Sequence, residues 1–300
     1  MRASYARIMD VSSPVRKLIR AREHIYELQE SQRTWRESGF YEVITHDNLR
    51  ESTDPEVRIM WKFRVTNPPP GAWGAIAGDI VTNLRAALDH AMYVVVSNGL
   101  GGSVPESLER RIQFPIEDTA QGFAGRIQPF RHALTNETVA ILEEHQPYRD
   151  EGLNPLVWVR ELSNRDKHRA LVFTPVATTA FRFAAKIPGL DVKLQAGDRI
   201  EDGKTIAIAK FPRAGADSHF DTQQRIEWIE HVETHTKYGA LPTSVVIESM
   251  YETALDIVAT LIHDFASDVD VLVISQQLEV ADARWAAVSE SLSSDPPADS

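Results

Sequence analysis

The stretch Asn67-Pro68-Pro69-Pro70-Gly71, followed by Trp73 to Val96 and then Asn98-Gly99, constrains this chain more than any other feature. Proline fixes φ and removes an amide donor, so the triple proline ends the element before it, and Asn98-Gly99 with the Gly101-Gly102 pair stops the element after it. Between these breaks Ile80, Val81, Leu84, Leu88, Ala91 and Val95 recur at helical spacing, which predicts one long helix with a continuous apolar side. Such a side needs a core packed against it, because helical stability in proteins comes mainly from burying an apolar face.

The remaining segments offer that core. Residues 14 to 38 read as a helix with Ser13 as cap, Pro14 at the first position and Gly39 as stop, and with Leu18, Ala21, Ile25, Leu28 and Trp35 along one stripe. Phe40 to Thr45 and Val57 to Thr66 read as a hairpin, since Ile59, Trp61, Phe63 and Val65 alternate with more polar neighbours. A loop-rich connection comes after the long helix, then helices near 120 to 133 and 136 to 145, then one that Asn154 caps and Pro155 begins, ending around Lys167. Strands are expected at Ala170 to Thr178, Phe181 to Lys186, Asp191 to Leu194, Thr205 to Phe211 after an Asp202-Gly203 turn, and 224 to 236. A helix over roughly 245 to 266 closes the series, and the composition from Ser289 onward predicts a disordered tail at 289–300. The fold class is α+β, a helical bundle packed with an antiparallel sheet that the early hairpin joins. Residues 1–288 are expected to form a single domain, helix-rich over 1–168 and strand-rich over 169–240, with a division near residue 170 as the alternative.

Composition narrows the chemistry. The chain has no cysteine, which removes disulfides, thiolate nucleophiles and zinc-thiolate sites together. No signal-peptide core is visible at the start, and the run Ala91 to Val96 is far too short to span a bilayer, so a soluble, cytoplasmic protein without membrane partners is expected. A formal charge of -11 repels polyanions, and the densest basic stretch, Arg16 to Arg22, leads into Glu23, Glu27 and Glu30 as a solvated helical face. There is no phosphate-binding glycine loop, serine-nucleophile elbow or zinc-protease motif. The six tryptophans, Trp35, Trp61, Trp73, Trp158, Trp228 and Trp285, read as core or interface anchors.

Two polar constellations stand out. On an ideal helix Asp79, Asn83 and His90 fall nearly on one line, with Thr82, Arg85 and Asp89 in the adjoining sector. Solvated faces favour Lys and Glu, whereas Asp, Asn, Thr, Arg and His are poorer helix formers and better hydrogen-bonding partners, so this face suits a buried cluster or a ligand site. An ordinary water-facing surface is the alternative. The second constellation runs from Glu161 to Arg169, where Glu161, Asn164, Arg165 and His168 would line one side, with Asp166 and Lys167 beside them. Basic residues complementing a helix C-terminus would explain it equally well. Were the two to meet, His90, Asp79, Glu161, Asp166 and His168 could be weighed as metal ligands, but no ligand spacing calls for a metal or a cofactor, and none is expected. His231 and His235, in an expected strand, stand too far apart to share an ion.

In chain order, Pro68-Pro69-Pro70, Gly78-Asp79, Asn83 to His90, Phe114-Pro115-Ile116, Gln146-Pro147-Tyr148 and Asn164 to Arg169 resemble an uncharacterised family of bacterial proteins of similar size. The resemblance covers roughly residues 40 to 185 and implies a shared fold without an activity. A looser one is to the HEPN superfamily, helical bundles that often cleave RNA without metal and carry Arg, four to six residues, then His. Arg85 and His90 fit that spacing, as do Arg126/His132, Arg213/His219 and Arg225/His231, but only the first pair sits in a long helix with further polar partners. The resemblance implies His90 as general acid/base and Arg85 as phosphate ligand and stabiliser of developing charge. It also implies RNA as partner and a homodimer, since such sites usually form where two protomers meet. Asp79, Asn83, Asp89, Glu161, Asn164, Asp166, Lys167 and His168 would support the pair.

These residues support two readings of function. One is a HEPN-like, metal-independent endoribonuclease using Arg85 and His90. The other is a non-catalytic binding or scaffold protein in which the same polar motifs form a buried network. A small-molecule ligand between helices and sheet stays open beside both.

Overall fold

The computed structural model describes residues 12–50, 53–150, 152–166, 169, 171–177, 180–181, 188–194, 199–213, 224–225, 228–234 and 236–263. The expected tail at 289–300, together with Trp285, Lys167 and His168, lies outside them.

Helix α1 spans Ser12–Glu37 and buries Val15, Leu18, Ala21, Ile25, Leu28 and Trp35, the expected stripe. It ends at Gly39, whose φ of 68° is a left-handed conformation that glycine adopts without steric cost. Strands β1 (Tyr41–Asp47) and β2 (Glu56–Val65) form the antiparallel hairpin, paired from Tyr41↔Val65 to Asp47↔Ile59. Alternation in β2 turns Val57, Ile59, Trp61 and Phe63 inward. After the triple proline, α2 runs Ala72–Gly99 and buries Ile80, Val81, Leu84, Leu88, Ala91 and Val95.

The connection expected to be loop contains a single helical turn, α3 (Glu106–Glu109). Residues 120 to 133 are α-helical only as α4 (Ala120–Ile127) and tighten to a 3-10 helix over Gln128–Ala133, where Pro129 offers no amide to continue an α-helix. Next come α5 (Asn136–Glu144), capped by Thr135, and α6 (Pro155–Asp166), where Asn154 Oδ1 accepts the Leu156 N–H at 3.0 Å as expected of its cap.

Strands β3 (Phe173–Ala177), β4 (Ala180–Phe181), β5 (Asp191–Leu194), β6 (Thr205–Pro212), β7 (Gln224–Arg225), β8 (Trp228–Glu233) and β9 (Ala240–Pro242) precede α7 (Thr243–Ile262). The early hairpin joins the later strands as β1-β2-β6-β5, a second sheet has the order β3-β8-β9, and β4 pairs with β7. Within 224 to 236, read as one strand, Gln224–Arg225 and Trp228–Glu233 are strand and pair with Ala180–Phe181 and Phe173–Ala177 in the same antiparallel register.

The fold is α+β with antiparallel sheets. Its buried apolar side chains form one connected cluster that includes residues of α1, β2, α2, α6, β6 and α7. Trp35, Trp61, Trp73 and Trp158 are buried in it, and Trp35 meets Phe40, Trp73 and Trp228 at ring-centroid distances of 4.0, 5.1 and 5.4 Å. Helix α2 lies against α1, α6 and α7. Among the described residues no helix is long and apolar enough to cross a membrane.

Candidate functional site

The polar face of α2 divides among several neighbours. Arg85 and Asp89, one turn apart, form a two-pronged ion pair, with Nη2 to Oδ1 at 3.0 Å and Nε to Oδ2 at 3.2 Å, in side chains only 21% and 26% exposed. Both reach the same residue: Arg85 Nη2 donates to the Phe114 carbonyl at 2.9 Å, and Asp89 Oδ1 accepts the Phe114 N–H at 2.9 Å. These are charge-assisted bonds, stronger than those between neutral groups.

Phe114 begins a buried segment, Phe114-Pro115-Ile116, that belongs to no helix or strand. A buried backbone outside regular structure still needs partners for its polar groups, and here side chains supply them. Gln146, fully enclosed, donates from Nε2 to the Pro115 and Leu142 carbonyls, both at 2.9 Å, and accepts the Glu117 N–H at 3.0 Å. Arg160 of α6 donates to the Ile116 carbonyl at 3.2 Å while pairing with Asp118 at 3.0 Å and Glu161 at 3.1 Å. Pro115 has no N–H to satisfy. Three motifs far apart in sequence, Asn83 to His90, Phe114-Pro115-Ile116 and Gln146-Pro147-Tyr148, therefore converge on one strap.

The other polar residues of α2 turn elsewhere. His90 Nδ1 is hydrogen-bonded to Ser13 Oγ at 2.8 Å, with both residues half-buried. Ser13, expected as the cap of α1, lies within the helix, and its hydroxyl serves His90. Asn83 returns Nδ2 to the Asp79 carbonyl at 2.8 Å and accepts from Lys17 Nζ at 3.4 Å. Thus Arg85 and His90 share a helix but serve different partners, the strap and α1.

Among the described residues the two expected constellations approach each other at Gly78 and Asp166. Gly78 of α2 lies so close to α6 that a β-carbon there would collide with the Asp166 carboxylate. Burial, and secondly the charge of Asp79, push the Asp166 carboxyl above the ordinary aspartate range. Asp79 and Asn164 are exposed, Glu161 is held by Arg160, and Arg165 Nε is enclosed without a hydrogen-bond partner. Among the described residues no group of three or more His, Asp or Glu could hold a metal ion.

Sequence reasoning missed Gln146 and Arg160 as members of the network, and missed that Phe114 to Glu117 is the segment the network holds. The available signal was the two prolines, Pro115 and Pro147, each marking backbone that cannot join a regular ladder. Comparison of the chain with protein-family models, with curated proteins and with solved structures finds no match.

Proposed function

We propose that this chain is a non-catalytic binding or scaffold protein whose polar motifs form a structural network. The observation that carries the reading is the strap: the carbonyls of Phe114, Pro115 and Ile116 and the amides of Phe114 and Glu117 are all bonded by Arg85, Asp89, Gln146 and Arg160. Side chains so engaged fix how α2, α6 and the segment between them pack.

Metal-independent RNA cleavage by Arg85 and His90 asks more of the same groups. To grip a phosphate with its Nε–Nη2 edge, Arg85 would have to release Asp89 and the Phe114 carbonyl, at about 1–3 kcal/mol for each group left without a partner. The formal charge of -11 adds long-range repulsion toward RNA.

The test is incubation of purified protein with single-stranded and structured RNAs in chelator, comparing wild type with His90→Ala and checking by circular dichroism that the variant is folded. No cleavage by either protein is expected. Cleavage by wild type that vanishes in a folded His90→Ala protein would overturn the proposal in favour of the ribonuclease.

A further inference from the structure

A cavity of about 410 Å³ lies between α4 and the loop that leads from α3 into the strap. Its volume falls in the usual range of small-molecule sites. Arg110, Arg111 and Arg126 line it together with Glu117, so three guanidiniums face one carboxylate. The lining therefore carries an excess of two positive charges in a chain whose formal charge is -11. All three arginines are exposed, within reach of a ligand that enters. Glu117 Oε1 accepts from Arg126 Nε at 3.0 Å, which leaves the terminal nitrogens of that guanidinium open. The side chains of Arg110 and Arg111 have no partner among the described residues.

Two further features shape the cavity. Gln113 and Glu117, both in the lining, flank Phe114-Pro115-Ile116, and the bonds from Asp89 to the Phe114 amide and from Gln146 to the Glu117 amide hold that backbone in place. A lining fixed before the ligand arrives loses little freedom on binding. The other feature is Gly125, which lies inside α4 with helical backbone and lines the cavity. A β-carbon there would meet nothing within 4 Å, so packing does not ask for glycine, and alanine would favour the helix. What glycine does at this position is leave bare backbone facing the cavity.

An excess of two positive charges matches a dianion. Guanidinium forks pair with phosphate oxygens two at a time, and a phosphate monoester carries close to two negative charges at neutral pH. The space beyond the phosphate, over Gly125, has room for an organic part, whose hydroxyls the Gln113 amide can meet as donor or acceptor. A long polyanion would run from the three arginines onto a surface that is acidic in sum.

We propose that this cavity binds a small organic phosphate monoester, with Arg110, Arg111 and Arg126 on the phosphate and Gly125 beside the organic part. The inference deepens the non-catalytic binding reading above and rests on it for the fixed strap.

The experiment titrates the full chain by calorimetry at neutral pH with glycerol 3-phosphate, glucose 6-phosphate and AMP, and separately with inorganic phosphate, succinate, citrate and a single-stranded RNA oligonucleotide. Saturable binding of at least one ester is expected, weakened about tenfold by Arg110→Gln and again by Arg111→Gln. Gly125→Leu should weaken it by about tenfold or more without lowering the melting temperature, because leucine fills the cavity while favouring the helix. Thermal melts confirm that the arginine variants are folded. No saturable ester signal overturns the proposal, as does ester binding that the folded double arginine variant retains. Gly125→Leu protein that binds as tightly as wild type overturns the place given to the organic part, as does inorganic phosphate that binds as tightly as the esters. Tighter binding of the carboxylates or of RNA overturns the ligand class. RNA cleavage in chelator that requires His90 would overturn the non-catalytic reading and leave these binding curves unchanged, whereas absent binding without cleavage overturns this inference alone.

Discussion

Replacing Gln146 by leucine isolates the strap's dependence on a single side chain. Gln146 is fully enclosed, and its amide makes three bonds: to the carbonyls of Pro115 and Leu142 and from the amide of Glu117. Leucine fills nearly the same volume, so the cavity contribution is small and the loss is dominated by backbone groups left without partners. Pro115 and Leu142 are themselves buried, while Glu117 is half-buried and its amide can find water. Taking about 1–3 kcal/mol for each enclosed group and less for Glu117, and crediting leucine with its apolar burial, Gln146→Leu should cost about 3–5 kcal/mol. That is a large share of the about 5–15 kcal/mol typical of a folded protein. Urea titration followed by tryptophan fluorescence should show a lower midpoint with an unchanged slope. A loss below about 1 kcal/mol, the range of ordinary point changes, would mean that water replaces the amide without penalty and that the strap does not rest on Gln146.

Thr243→Val should stabilise the protein by about 1–2 kcal/mol, because it removes an enclosed hydroxyl without a partner at constant volume and nearly constant helix propensity. Differential scanning calorimetry should register a rise of a few degrees, and a lowered melting temperature would show that the hydroxyl is satisfied. At Gly99 an added β-carbon would strike the Ala133 carbonyl, which is backbone, whereas at Gly78 it would strike the movable end of Asp166. Gly99→Ala is therefore expected to cost about 2–3 kcal/mol and Gly78→Ala far less, helped by alanine's better helix propensity; equal losses in thermal melts would contradict this. The folded state raises the Asp166 carboxyl, so it binds this proton more tightly than the unfolded chain does, and stability from this group declines as pH rises above the ordinary aspartate range. Asp166→Asn should accordingly raise the urea midpoint at neutral pH and lose that advantage in acid; a constant difference across the titration would refute the linkage.

Much of the frame is legible in the chain because its breaks are chemical. The triple proline and Asn98-Gly99 bracket α2, the 3.6-residue recurrence of Leu18, Ala21, Ile25 and Leu28 marks the buried side of α1, and Asn154-Pro155 announces α6. The polar face of α2 is also legible as a set, since Arg, Asp, Asn and His are unusual choices for a water-facing helix. Its partners are not. Arg85 and Asp89 bond the backbone of Phe114, and a backbone amide or carbonyl leaves no trace in residue identity. Gln146 is harder still, because glutamine is mostly a surface residue and nothing local distinguishes one that is wholly enclosed.

Amide hydrogen exchange at Phe114 and Glu117 reads the strap itself. Both amides lie outside every helix and sheet, yet they donate to Asp89 Oδ1 at 2.9 Å and Gln146 Oε1 at 3.0 Å. Their exchange should be about a hundredfold or more slower than in an unstructured peptide, with Asp89→Ala releasing Phe114 more than Glu117. Exchange of both at the rate of a free peptide in the wild-type protein would mean that the polar motifs hold nothing.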